Sequence, residues 1–182
     1  MSTLRQDKDC TTENLLAPFN PICERSQRVV LNLLQLNSHD VLFDLGCGDG
    51  RLLQLASNES NCKCVGIELN EEYVRRGRKR IQDTNDDDDQ LIEIRHGDVL
   101  QELSKQDDIN DFYQNATAVY VYLLPKGLQK IRPYLEKKMK MTKHFRVVSY
   151  IFSIPEWNPT VVDRTSKGEV AIYLYDINSI PS

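Results

Sequence analysis

"VLFDLGCGDGRLLQLA", residues 41–56, decides the fold. An apolar run closes on Asp44, glycines follow at 46, 48 and 50, and an amphipathic stretch begins at Arg51. A buried strand, a loop without side chains and a helix fit that order, and the loop is built for something to approach its backbone closely.

The flanking sequence repeats the alternation. "ERSQRVVLNLLQL" carries apolar residues at 29, 30, 33, 34 and 36, a helical period. "HDVLFDL" is the first strand and "GRLLQLA" a short helix. "CKCVGIEL" reads as a second strand, and Asn70 can cap the helix "NEEYVRRGRKRI" that follows. "QLIEIRHG", "ATAVYVYL" and "FRVVSYIF" are the third, fourth and fifth strands. Residues 99–113 hold a weak helix, and Pro133 is expected to kink or restart the helix of "PKGLQKIRPYLEKKMK". "TVVDRT" and "EVAIYLYDI", joined by "SKG", form a terminal hairpin. The fold class is therefore α/β: a Rossmann-like, mostly parallel sheet with helices on both faces and a C-terminal antiparallel hairpin.

Such sheets bind ligands at the carboxyl ends of their strands, where the strand order reverses. The glycine loop belongs at that crevice. A dinucleotide fingerprint would need G-x-G-x-x-G, but Arg51 stands where its third glycine should be. Glu68 ends the second strand, placed to accept two ribose hydroxyls, and Asp98 ends the third, where an adenine amino group would lie. Asp44 and Asp49 would repel a pyrophosphate and favour a sulfonium and an ammonium.

"DLGCGDGR", "GIEL" and "GDVL", at these spacings, resemble the cofactor motifs of class I S-adenosylmethionine-dependent methyltransferases. "APFNPICERSQRVV", "VYVYLLPKGLQKIRPYLEKKM" and "FRVVSYIFSIPEW" are similar to segments shared by bacterial orphan methyltransferases and FAM173-type protein-lysine methyltransferases. The resemblance implies S-adenosylmethionine as cofactor. Asp44, Gly46, Cys47, Gly48, Asp49 and Gly50 would hold its methionine part. Glu68, with Leu69 and Asn70, would hold the ribose, and Asp98, between Gly97 and Val99, the adenine edge. It further implies a single methyltransferase domain over residues 18–182 behind a flexible segment 1–17, with Pro18, Phe19 and Pro21 folding over the cofactor. The chain departs from the usual fold in one place: "SIPEWNP" is too short and proline-rich for the helix expected before the hairpin. The acceptor side is then open or completed by a partner.

The expected reaction is methyl transfer to a nucleophile, a protein lysine amine first. A small-molecule acceptor, or a non-catalytic module that binds the cofactor and acts through a partner, stays open. Tyr122, Phe152 and Trp157, near the ends of the fourth and fifth strands, are expected to line the acceptor site; their alternative is plain core packing. "YLLP" stands where amine-modifying relatives of this fold carry an "NPPY"-type loop, so a nucleobase amine is disfavoured. His96 either touches the adenine, acts as a base or is structural; His39 and His144 read as surface residues.

Composition sets the remaining bounds. At 182 residues and a net charge of -4, the chain has one domain's length and no broad basic field for nucleic acid. No apolar run spans a bilayer, and "MSTLRQDKDCTTENLL" resembles neither a secretory signal nor a transit peptide. Five cysteines, at 10, 23, 47, 62 and 64, read as free thiols of a cytoplasmic protein, with no metal site. Asp86 to Asp89 read as a solvated loop, and "EKKMKMTKHFR" as a solvated helix end or a steering patch for an acidic substrate.

Overall fold

The computed structural model describes residues 22–84, 91–106, 110–164 and 170–181. The expected N-terminal segment, the Pro18–Phe19–Pro21 cover, the acidic loop and the hairpin turn lie outside the described residues.

The chain alternates as its pattern demands: α1 (Glu24–Leu34), β1 (Val41–Leu45), α2 (Arg51–Ser60), β2 (Lys63–Glu68), α3 (Glu71–Thr84) and β3 (Ile92–His96). The second half holds α4 (Val99–Leu103), α5 (Asp111–Asn115), β4 (Ala118–Val121), α6 (Pro125–Met141), β5 (Arg146–Tyr150), β6 (Val161–Arg164) and β7 (Ala171–Tyr175). One sheet runs in the order β3-β2-β1-β4-β5-β7-β6, with β7 antiparallel to β5 and β6 antiparallel to β7. The order reverses between β1 and β4, and that switch point is where a crevice opens.

Helices cover both faces, so the central strands are buried on both sides and read as unbroken apolar runs. Val30 and Leu34 of α1, Leu52 and Leu53 of α2, and Val74 of α3 close over one face with Leu42, Tyr120 and Tyr150. Phe112 of α5 and Leu128, Ile131 and Leu135 of α6 close over the other with Phe43, Val119 and Val147. The carboxylate of Asp40 ties the opposite end of the sheet together. It accepts from Thr117 Oγ1 at 2.6 Å and Asn37 Nδ2 at 2.8 Å, and pairs with Arg146.

Two expectations change. The weak helix over 99–113 is two short ones, each opened by a side-chain cap: Asp98 accepts from Leu100 N and Asn110 from Phe112 N. Pro133 neither kinks α6 enough to end it nor restarts it; the helix runs from Pro125 to Met141 with Pro133 inside. Pro133 lies on the exposed side of α6, as does Gln129, whose carbonyl loses its N–H donor. Between β5 and β6, residues 151–160 form no helix, as "SIPEWNP" led us to expect.

Candidate active site

The glycine loop crosses from β1 to α2 with positive φ at Gly46 (97°), Gly48 (55°) and Gly50 (70°). Gly50 is the N-cap of α2 in the left-handed region, where its missing Cβ also avoids Ile94 Cδ1 by leaving a 2.6 Å approach unfilled. Two outside groups hold the loop. Gly66 of β2 leaves room for Cys47, whose Sγ lies 2.5 Å from where a Cβ on Gly66 would stand. From α3, Gly77 lies so close that a Cβ would sit 3.1 Å from the backbone of Asp49.

Asp49 is not a bare negative charge. Arg51 grips it with Nε at 2.9 Å and Nη2 at 2.7 Å, and Arg80 of α3 adds a bond at 2.9 Å. Burial pushes its carboxyl upward, but the bonds and charges of the two arginines outweigh this and hold it below the ordinary range. Asp49 therefore locks the loop to α3. Arg51, which breaks the dinucleotide fingerprint, ties the same carboxylate to the start of α2.

Asp44 is the opposite case. It is 3% exposed, and its Oδ1 has no hydrogen-bond partner. Burial, and after it the charge of Glu68, raise its carboxyl well above the ordinary range. A buried carboxylate without a partner is costly and calls for a cation.

Glu68 is anchored at both oxygens: Oε2 accepts from Gly48 N at 2.8 Å and Oε1 from Asn70 N at 2.8 Å. A carboxylate has about four acceptor positions, so two remain for ribose hydroxyls. Asn70 caps α3 by accepting from Glu72 N at 2.9 Å. Gly97 N donates to Glu68 O at 2.9 Å, aligning the β2 and β3 tips, and Asp98 Oδ1 caps α4 through Leu100 N at 2.7 Å, just before the buried Val99. His96 Nε2 meets Leu69 O at 3.0 Å, a bridge between the same two tips. His39 and His144 are exposed.

These residues fit S-adenosylmethionine. The orphaned Asp44 oxygen answers a cationic group, the glycines leave backbone open to the methionine chain, and Glu68 keeps acceptors for a diol. Bound there, the cofactor supplies an electrophilic methyl group on a sulfonium.

The three expected acceptor residues do not share one cluster. Tyr122 packs on the α1 side, its ring edge-on to Tyr150 at 4.9 Å. Phe152 and Trp157 belong to the opposite side, where Trp157 is 5% exposed and packs on Tyr175 at 5.7 Å. Phe152 follows a tight turn around Ile151, whose φ is 69°: Phe152 N donates to Tyr150 O at 2.9 Å and Ser149 Oγ to Phe152 O at 2.6 Å. A β-branched residue in that region is a strained one, held here at a strand tip.

Sequence reasoning missed Tyr120, Arg80 and Gly77. Alternation in "YVY" puts Tyr120 and Tyr122 on one sheet face, but only the β1–β4 register says which stands beside Asp44. Among the described residues, no cluster of three or more His, Cys, Asp or Glu is arranged to hold a metal, and no helix is long and apolar enough to cross a membrane. Cys62 and Cys64, both buried, have sulfurs 3.6 Å apart.

Comparison with known proteins places this geometry. The profile of the ANTKMT methyltransferase domain matches residues 44–161. A protein-lysine N-methyltransferase of Saccharolobus islandicus (strain REY15A) is 31% identical over 163 residues, covering 88% of this chain and 93% of that protein. The crystal structure of an RNA methyltransferase from Salinibacter ruber, in complex with S-adenosyl-L-homocysteine, superposes with a TM-score of 0.75 at 30% identity, over 90% of this chain and 97% of that one. At 15% identity, a precorrin-6y C5,15-methyltransferase of Geobacter metallireducens GS-15 shares the fold alone, with a TM-score of 0.62 over 90% of this chain and 93% of that one.

Proposed function

Because the chain belongs to the family of the ANTKMT methyltransferase domain and is an S-adenosylmethionine-dependent methyltransferase, we propose that its acceptor is the side-chain amine of a protein lysine. The observation that carries this reading is the likeness to the S. islandicus protein-lysine N-methyltransferase along 88% of the chain. The described residues 151–160 support it: they form no helix, which leaves a bulky acceptor room to approach the strand tips from that side.

The chain's own contribution is placement and desolvation. A lysine must first lose a proton, which costs about 4.6 kcal/mol at pH 7 from an ordinary pKa near 10.4. A dry aromatic wall lowers that cost by disfavouring the ammonium form. Tyr122, backed by Tyr150, and the half-buried Phe152 are proposed as that wall, with Trp157 supporting Phe152 from the core. Holding amine and methyl in line at near-attack distance supplies most of the remaining acceleration.

A second reading has one observation in its favour, the S. ruber RNA methyltransferase at 30% identity. The net charge of -4 weighs against it, because phosphate neutralisation supplies most nucleic-acid affinity.

Transfer from methyl-tritiated S-adenosylmethionine into a hypomethylated lysate separates the readings, with Asp44→Ala and Glu68→Ala as controls. Label in a discrete protein band, recovered as methyllysine and absent from both controls, is the expected result. Ribonuclease-sensitive label would replace the lysine reading with the RNA one, and label confined to small molecules would move the acceptor there. Cofactor binding without transfer would favour a non-catalytic module.

A further inference from the structure

Asp44 of β1 and Tyr120 of β4 are Cα partners in the parallel ladder that flanks the switch point, so their side chains rise from the same sheet face. Each is 3% exposed. Asp44 Oδ1 and the Tyr120 hydroxyl are both buried without a hydrogen-bond partner, so the two residues, paired in the ladder, do not bond to each other. On the other side of Asp44 the ladder partner is Gly66, which has no side chain to offer either of them a bond. Tyr150, on the next strand, is not in the same state: its hydroxyl reaches Ser26 Oγ at 3.4 Å.

Two buried polar atoms left without partners on one sheet face, from residues paired across the ladder, are unfavourable in the empty site, and one ligand group reaching between them can satisfy both. The chemistry restricts that group. An ionised carboxylate only accepts, and a phenol oxygen accepts as well as donates. A primary ammonium has N–H donors enough for both oxygens and the charge that Asp44 lacks a partner for. A sulfonium has no N–H to give.

We infer that Tyr120 is a cofactor-binding residue, its hydroxyl and Asp44 Oδ1 together receiving the amino-acid ammonium of S-adenosylmethionine. The assignment needs the cofactor alone and holds whatever the acceptor proves to be. It also explains why a tyrosine stands at a position where phenylalanine would pack equally well and leave no hydroxyl stranded. Burial, and after it the Asp44 charge, keep the Tyr120 phenol protonated, so its oxygen retains the neutral form that can accept from an ammonium.

The experiment is calorimetric titration of wild type and Tyr120→Phe with S-adenosylhomocysteine and with its analogue lacking the amino group, no acceptor present. Tyr120→Phe is expected to weaken S-adenosylhomocysteine about tenfold and to leave the deaminated analogue unchanged. In the ligand-free protein the same variant is expected to unfold at an equal or higher denaturant concentration, since it removes a hydroxyl that nothing satisfies. Equal weakening of both ligands, or no weakening of either, would overturn the assignment. So would an unchanged cofactor affinity with a raised KM for the acceptor, which would give the ammonium to the substrate instead.

Discussion

Glu68 Oε2 accepts the amide of Gly48 at 2.8 Å, so the carboxylate expected to hold the ribose also fixes the loop that holds the methionine chain. Its other oxygen fixes Asn70, which caps α3. Loop, strand tip and helix start are one unit with a single carboxylate at its centre. Glu68→Gln keeps the shape but can offer an oxygen to only one of the two amides. A loss of roughly 1–3 kcal/mol in stability is expected from the stranded N–H, larger for Glu68→Ala. Denaturant melts read the stability, and titration with S-adenosylhomocysteine should show binding weakened further than the stability.

Asp44 makes the ligand-free protein less stable as pH rises. Its raised carboxyl holds a proton in the native state that the unfolded chain has already released, over a window that opens at the ordinary pKa of 3.8 and extends upward. The native state binds more protons there, so stability falls with rising pH. Cofactor affinity should move the other way, growing as Asp44 ionises. Asp44→Asn is expected to flatten both profiles above the ordinary pKa of 3.8, raising ligand-free stability while weakening the cofactor. Parallel melts and titrations across that range test it; unchanged slopes would remove Asp44 from the cation site.

Gly77→Ala should damage the site from behind. The added methyl would stand 2.5 Å from Ile94 Cδ1 and 3.1 Å from the Asp49 carbonyl carbon and oxygen. The side chain can turn aside, but the backbone can yield only by moving α3. Overpacking of this kind costs about 1–3 kcal/mol, offset by about 1 kcal/mol of improved helix propensity. A net loss of about 0–2 kcal/mol in stability, with weakened cofactor binding, is the expected pairing.

Arg80→Ala removes one of the two cations on Asp49. Arg80 is 41% exposed at its side chain, so little stability is at stake, under about 1 kcal/mol. The loop position is another matter, since α3 then holds Asp49 only by packing. A rise of several-fold in cofactor Kd, with Tm nearly unchanged, is expected by calorimetry. With Arg51 remaining, the Asp49 carboxyl should still ionise below the ordinary range but less far below.

The geometry of the glycine loop and the neighbouring strand tip was legible in the sequence because its requirements are local. Gly46, Gly48 and Gly50 adopt backbone angles that side chains resist, and a strand–helix–strand unit brings Glu68 to the neighbouring tip. Tyr120 was not legible, because "AVYVYL" does not say which of its tyrosines stands beside Asp44; only the β1–β4 register does. Gly77 did carry a signal. A glycine inside the arginine-rich helix "YVRRGRKRI" works against helix propensity, and here the reason is a close approach. The acceptor trio failed to gather in one cluster for a related reason: Phe152 and Trp157 follow a turn whose strained centre, Ile151, redirects the chain to the other face.

The ladder between β1 and β4 has a consequence for biosynthesis. The loop, Glu68 and Asp98 all leave the ribosome before β4, and β1, β2 and β3 can pair among themselves without it. Until β4 docks, one flank of Asp44 faces water and its charge is hydrated. The electrostatic penalty of enclosing that carboxylate therefore cannot be complete before β4, with Tyr120, pairs with β1. S-adenosylmethionine, which needs the closed ladder to find its charge partner, is expected to stabilise the docked β4 by mass action.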